Sequence, residues 1–474
     1  MNLPRPFVSL LHWFGLGHWL DRSRRATAVP DLPLTPDAPD AARARVTCDF
    51  LADVQGGIVS ARSRGTRVAL WLFAFIDPAD YARNARTVNA TADRVTTALD
   101  QYRGRVGGSF RSFALSGSGL KACGVESRVP DGSGFCPPDM LRSLLDGMSQ
   151  EMELGWMHDP VAADGTPSTW EPQFLRRIDG VWLLGADSPE ALELLRKKTV
   201  AWGQKQGAYE VAFEPGAVRR DTQQRMREPF GFVDGLSTQR FFRDDPFALK
   251  TPLEKVFLAT PRHLGCSLLV VRKLEQNVKA FRTFRQQLID QLGADAGERK
   301  ASQIVGRLPD GTPLAGRSPG AALNDFDFSN DRAATGCPFT AHIRRANPRA
   351  VRDDISASAT PAEKAAGERH LVRRGVVYGS EEKLNLPAGA TAGVGLLFMA
   401  YMSELATFRE IQGSWFSAQN FPAAQPVGAA DALVHGSLPA ADDHPAVNWI
   451  TPKGGGYFFV PSRSWMRDLR PETR

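Results

Sequence analysis

Residues Arg67 to Ile76 read RVALWLFAFI, a nearly continuous apolar run whose composition predicts a buried strand. The segments after it narrow the fold further. A helical pattern runs from about Ala79 to Tyr102 with Pro78 near its start, and Ser109 to Leu115 reads as a second strand. The order then recurs. Gly180 to Leu184 is strand-like, Ser188 to Gln206 is a helix opened by Ser-Pro-Glu, and Tyr209 to Phe213 is a strand again. Two strand–helix–strand units within one half predict a split β-α-β, ferredoxin-like domain.

The second half has a similar rhythm. Leu264 to Val271 is strand-like, Glu275 to Leu292 helical, Gly393 to Met402 an apolar strand, Leu405 to Trp415 a helix and Tyr457 to Val460 a short last strand. The expectation is an α+β protein of two ferredoxin-like domains with antiparallel sheets. Residues 1–45 would form an N-terminal extension and linker, 46–220 the first domain and 221–474 the second. The stretch from Ala294 to about Leu371 reads as irregular, and structureless segments of that length tend to be functional or disordered. Ala423 to Val447, rich in Ala, Pro and Asp, reads as a second loop with no evident chemistry.

Composition excludes several function classes. The 474 residues carry a net charge of only +6, with no dense Lys/Arg run interleaved with aromatics, so no nucleic-acid partner is expected. The five cysteines are scattered and form no C-x-x-C pair, which argues against a disulfide framework, a zinc site or an iron–sulfur cluster and fits a cytoplasmic location. The apolar stretch Phe7 to Leu20 contains His12 and His18, is too short to span a bilayer and has no convincing cleavage site after it. It fits a short amphipathic helix docked on the body, or a contact with a membrane surface.

Three segments carry the candidate chemistry. In Phe230-Gly231-Phe232-Val233-Asp234-Gly235-Leu236-Ser237 an acid lies between glycines in an apolar setting. Burial among Phe230, Phe232, Val233 and Leu236 would desolvate Asp234 and raise its pKa, although the same residues fit an Asp–Gly turn. In Cys337-Pro338-Phe339-Thr340-Ala341-His342-Ile343-Arg344-Arg345-Ala346-Asn347-Pro348-Arg349 a histidine adjoins three arginines. A neutral imidazole can ligate iron and arginines suit carboxylates, but a structural histidine beside a basic turn fits equally. In Leu371 to Gly379 the pair Arg373-Arg374 runs into an apolar segment bounded by glycines, which suits an anionic intermediate or an edge strand with solvated arginines.

Together and in this order the three segments resemble the signature of the dye-decolorizing peroxidases: G-x-x-D-G, a histidine within CPF-x-AHIRR-x-NPR, and an arginine within RRG-x-x-YG. The resemblance runs from about Asp53 to the C-terminus and includes Asp53 to Ile58 and Gly455 to Phe459. The length suggests the family's large branch. It implies haem b (iron protoporphyrin IX) as cofactor, held mainly by the C-terminal domain, with His342 as axial iron ligand. Asp234 would be the distal acid–base residue, Arg373 the distal arginine in preference to Arg374, and Arg349 a partner of a haem propionate. Leu396 and Phe398 would line the distal pocket. The implied partners are hydrogen peroxide and small one-electron donors such as dyes and phenolics. The family also places a carboxylate behind the histidine, for which Glu404 is the nearest candidate. Electrons from bulky donors would enter through surface aromatics, with Trp415, Trp449, Trp465 and Tyr401 as candidates. Val233, Thr340 and Gly375 depart from residues common in relatives without removing a catalytic group. The competing reading is a haem-handling protein with incidental peroxidase activity, which would need His342 but not the Asp234–Arg373 pair.

Overall fold

The computed structural model describes residues 25–60, 64–125, 158–243, 251–317, 321–349, 369–380, 392–422, 429–435 and 448–470. The apolar stretch Phe7 to Leu20 and Cys136 lie outside these residues.

The apolar run RVALWLFAFI forms strand β1 (Arg67–Phe75), and every residue of the strand after Arg67 is buried. It is flanked by β3 (Gly180–Ala186) and β4 (Ala208–Ala217), both antiparallel to it. β2 (Ser109–Leu115) pairs with the other edge of β3, which gives the order β2-β3-β1-β4. The helix Pro189–Lys205 starts at Ser188, whose hydroxyl accepts the Ala191 N–H, and it lies against β1. Gly203 permits that approach, because a Cβ there would stand 2.4 Å from the Trp71 ring.

In the second half, β5 (Ser267–Gln276) pairs with β9 (Ile450–Val460) on one side and β8 (Gly395–Met402) on the other. The short strands β6 (Val372–Arg373) and β7 (Val376–Tyr378) pair with β8. Single bridges, Leu115 to Phe459 and Ala217 to Val377, join the two halves into one nine-stranded antiparallel sheet. The fold is therefore α+β with antiparallel pairing throughout its named strands.

Several boundaries move for physical reasons. The long helix expected over Ala79 to Tyr102 is two, Tyr81–Thr91 and Ala98–Tyr102, because the chain between them bridges to Gln55 and restarts on the Thr97 hydroxyl. The helix expected from Glu275 begins at Val278, since β5 continues to Gln276 and Asn277 caps the turn. β9 has eleven residues, its first half disguised by the Gly- and Pro-containing ITPKGGG. The segment from Ala294 opens with a helix, Ala294–Ser302, before the irregular part begins.

Two apolar clusters matter for the site. The larger spans both halves and contains β1, β2, β3, β5 and β9 residues. The second gathers Phe230, Phe232, Phe281, Ile304, Val377, Val394, Ala432 and Trp449. It thereby packs together the loop bearing Asp234, the segment after Ser302 and the residues beside Asp431.

Candidate active site

His342 opens a short helix, His342–Ala346, held at its start by backbone donation from His342 to Ile304 (3.0 Å) and from Ile343 to Val305 (3.0 Å). Its Nδ1 lies 3.1 Å from Oδ2 of Asp431, and its ring packs against Phe416 at 4.9 Å between centroids. A protonated Nδ1 donating to that carboxylate leaves Nε2 with its lone pair outward, the tautomer a metal-ligating histidine requires. Nε2 has no hydrogen-bond partner among the described residues, and the side chain keeps 26% of its surface accessible.

Asp431 is fully buried. Its Oδ1 accepts the backbone N–H groups of Leu433 (3.0 Å) and Val434 (2.9 Å), so one carboxylate both caps the helix Ala432–His435 and fixes the imidazole. The expected carboxylate, Glu404, is not that group. Its side chain is 61% exposed and its oxygen faces Arg369 at 3.9 Å. Asp431 lies within Ala423 to Val447, the loop that showed no chemistry in the sequence.

The arginines beside His342 divide by role. Arg345 is fully buried and donates to the carbonyls of Phe339, Trp415, Ala418 and Ala429, tying the His342 helix to the chain that leads into Asp431. Arg344 donates to Asp331 and to the Cys337 carbonyl, with its guanidinium between the rings of Phe328 and Phe339. Neither is available to a bound carboxylate. Arg349 is half-buried at a positive φ of 45° and reaches the Asn324 and Phe326 carbonyls and the Asn324 side chain.

The Asp234 loop is fixed from several directions. Val233 N–H donates to Pro309 (3.0 Å) and Asp234 N–H to Met226 (2.9 Å). Gly231 and Gly235 have φ of 105° and 77°, values that favour glycine, which explains their place in the motif. These turns also send the side chains apart. Phe230 and Phe232 pack on Phe281, whereas Asp234 is exposed. The expected desolvation of Asp234 by its apolar neighbours therefore does not occur. The desolvated carboxylate of this loop is instead the half-buried Glu228, whose pKa is pushed up to about 7 by the surrounding protein, with hydrogen bonds from Phe230, Gln276 and Phe232 opposing and the Asp234 charge adding to the rise.

Arg373 ends β6 and Arg374 follows it, and their side chains lie in different surroundings. Arg374 is buried and donates to the carbonyls of Gly57, Ile58 and Gln239. Arg373 is accessible and donates to the Ser237 hydroxyl, three residues beyond Asp234. Surrounding protein nonetheless lowers its pKa by desolvation while the Asp234 charge pulls it up. Arg373 pairs across the sheet with Ala400, so the half-buried Leu396 and Phe398 share its face of β8. The segment Ile304–Arg307 links the two groups of residues. Its first carbonyl holds His342, and the Arg307 guanidinium is close enough to Arg373 to be lowered, chiefly by burial and also by that charge, to about 10.

The four aromatics considered as surface relays are all buried: Trp415, Trp449, Trp465 and Tyr401 are each no more than 8% exposed. None stands at the surface where a bulky donor would meet it. Among the described residues, no helix is long and apolar enough to cross a membrane.

No protein-family model matches the chain. Over 355 residues the chain is 33% identical to the multifunctional dye peroxidase DyP2 of Amycolatopsis sp., covering 65% of this chain and 74% of that protein. It is 27% identical over 511 aligned positions to the dye-decolorizing peroxidase msp1 of Mycetinis scorodonius, covering 94% and 92%. Among solved structures, the DyP-type peroxidase of Anabaena sp. superposes with a TM-score of 0.74 at 28% identity over 89% of this chain and 95% of that one. DyP2 of Amycolatopsis sp. superposes with a TM-score of 0.74 at 26% identity over 94% and 100%. A fold shared with these enzymes over nine-tenths of the chain defines an oxidoreductase that acts on hydrogen peroxide. The chain belongs to the dye-decolorizing peroxidase family, whose members depend on haem. The haem-handling alternative is not favoured.

Proposed function

We propose that this peroxidase would hold haem b through Nε2 of His342, and that Asp234 and Arg373 would act on hydrogen peroxide. The observation that carries this reading is the pair His342–Asp431, which leaves one imidazole nitrogen unengaged and orients it by a fully buried carboxylate. The donor set fits haem: an imidazole oriented by a buried carboxylate, an accessible acid whose charge acts on an accessible guanidinium, and the apolar Leu396 and Phe398 on that guanidinium's face of the sheet.

The roles of the protein groups follow from position. When bound, haem supplies the redox chemistry. The Asp234 carboxylate takes a proton from one peroxide oxygen and returns it to the other. The Arg373 guanidinium, kept charged beside Asp234, stabilises negative charge as the O–O bond lengthens. Ser237 orients Arg373 by accepting from it. We read Arg349 as the propionate partner: its contacts with Asn324 and Phe326 hold the side chain in place beside the His342 segment. The electron donors are dyes, phenolics or other small reductants, the first by analogy with the names of the relatives.

The same reading extends to domain organisation and location. The strand orders β2-β3-β1-β4 and β9-β5-β8-β7, with helices in chain order between β1 and β2, β3 and β4, β5 and β7, and β8 and β9, support two ferredoxin-like units divided near residue 220. The scattered cysteines, of which the four described ones are all buried, support a cytoplasmic location.

His342→Ala tests the proposal. Reconstituted with haem, it should fail to retain the cofactor through gel filtration, and exogenous imidazole should restore a wild-type-like absorption spectrum. Haem content and spectrum equal to wild type without imidazole would refute the ligand assignment.

A further inference from the structure

Glu228 holds the Asp234 loop together. Its Oε2 accepts the Phe230 N–H (3.0 Å) and Gln276 Nε2 (2.8 Å), and its Oε1 accepts the Phe232 N–H (2.8 Å). Its backbone completes the closure: Glu228 N–H donates to the Phe232 carbonyl at 3.1 Å, and Gly231 N–H donates to the Glu228 carbonyl at 3.0 Å. Residues 228–232 thus close around one carboxylate, anchored through Gln276 to the end of β5. Asp234 stands two residues further on.

The charged neighbours are otherwise engaged. Arg227, on the same loop, faces Asp221 and the Gly231 carbonyl. Glu275, beside Gln276, pairs with Lys453 at 3.3 Å and accepts the Gly393 N–H. Burial raises the Glu228 pKa to about 7, and the charge of Asp234 adds to the rise. The Gln276 amide can serve either protonation state. Its Nε2 donates to the carboxylate, and after a flip its Oε1, which is buried without a partner, can accept from the carboxyl O–H.

We propose that Glu228 is a positioning residue for Asp234, setting both the place of the Asp234 carboxylate and the charge beside it. This rests on the reading of Asp234 as the acid–base group. Glu228→Gln mimics the charge of the neutral state and its amide can donate to Gln276 Oε1, although its nitrogen cannot accept the Phe230 N–H as a carboxyl oxygen does. Glu228→Ala removes the closure altogether.

The test is stopped-flow mixing of the haem-loaded full chain with peroxide across about pH 5 to 9, combined with infrared pH titration of the haem-free protein. In the wild type a carboxylic-acid C=O band should vanish with a midpoint near 7. That band should be absent in Glu228→Gln, and its midpoint should fall in Asp234→Asn. Glu228→Ala should react at least about tenfold more slowly with unchanged haem content. Glu228→Gln should recover most of the wild-type acid-side rate and lack the inflection near neutrality. The proposal is overturned if Glu228→Gln keeps the wild-type band and pH profile, or if both Glu228 variants match wild type while Asp234→Asn is slow. If Asp234→Asn itself reacts as fast as wild type, the acid–base reading fails instead, and the infrared midpoint shift still reports whether the two carboxyls interact. If Glu228→Ala does not fold, Glu228→Gln alone decides.

Discussion

The Oδ2 of Asp431 lies 3.1 Å from Nδ1 of His342, across 89 residues of chain, while its Oδ1 caps the helix immediately after it. One carboxylate therefore ties imidazole orientation to the fold of a short segment. Asp431→Asn should weaken haem affinity by about 10–100-fold, because an amide cannot strengthen the basicity of the ligand as a carboxylate does. Haem transfer to an acceptor protein measures this, and the ferric absorption spectrum should shift with it. An unchanged transfer rate would mean that Asp431 serves only as a cap.

Arg373 and Arg374 are adjacent in sequence and should fail differently. Arg374→Leu strips donors from the Gly57, Ile58 and Gln239 carbonyls and should cost on the order of 3 kcal/mol of stability. Arg373→Leu, which removes an accessible side chain, should change stability by less than about 1 kcal/mol. Denaturant midpoints of the two variants provide the comparison, and equal losses would show that the surroundings of the two arginines have been misassigned.

Arg349→Ala should release haem about tenfold faster than wild type while leaving the axial ligand spectrum intact, as expected for loss of one charge-assisted contact. A wild-type release rate would confine Arg349 to holding Asn324 and Phe326.

Glu228 makes the pH dependence of stability predictable in sign. Its folded pKa, about 7, exceeds its ordinary value of 4.5, so the folded state binds the proton more tightly. Its contribution is fully present below about pH 4.5 and is lost as pH rises towards 7, amounting to roughly 3 kcal/mol at most. The Glu228→Gln variant should lack this slope between the two values in denaturant titrations. A wild-type slope in that variant would assign the effect to another group.

Much of this was legible in the sequence, and the misses have a common cause. Buried strands announced themselves because RVALWLFAFI and GVGLLFMAYM are apolar at nearly every position. The choice of Arg373 over Arg374 needed family resemblance, since periodicity alone cannot say which face of a two-residue strand is covered. Asp431 was hidden because its partner is distant in sequence, although Asp431-Ala432-Leu433-Val434 has the form of a capped helix start. Asp234 was expected to be buried because its neighbours are apolar, but the two positive-φ glycines turn those neighbours away. Glu404 was the carboxylate nearest the place the resemblance implies, but the fold leaves it exposed beside Arg369, and the four aromatics expected at the surface are buried by tertiary packing.

The most direct test of the account concerns Asp234 and Arg373 together. Asp234→Asn keeps size and polarity without the acid–base function, and Arg373→Leu keeps bulk without charge. Both variants should bind haem with a normal resting spectrum, since His342 and Asp431 are untouched. Mixed with peroxide in a stopped-flow instrument, each should show the Soret absorbance change slowed by about 10²–10⁴-fold. The double variant should be at least as slow as the slower single one. If all three react as fast as wild type, the distal assignment is wrong.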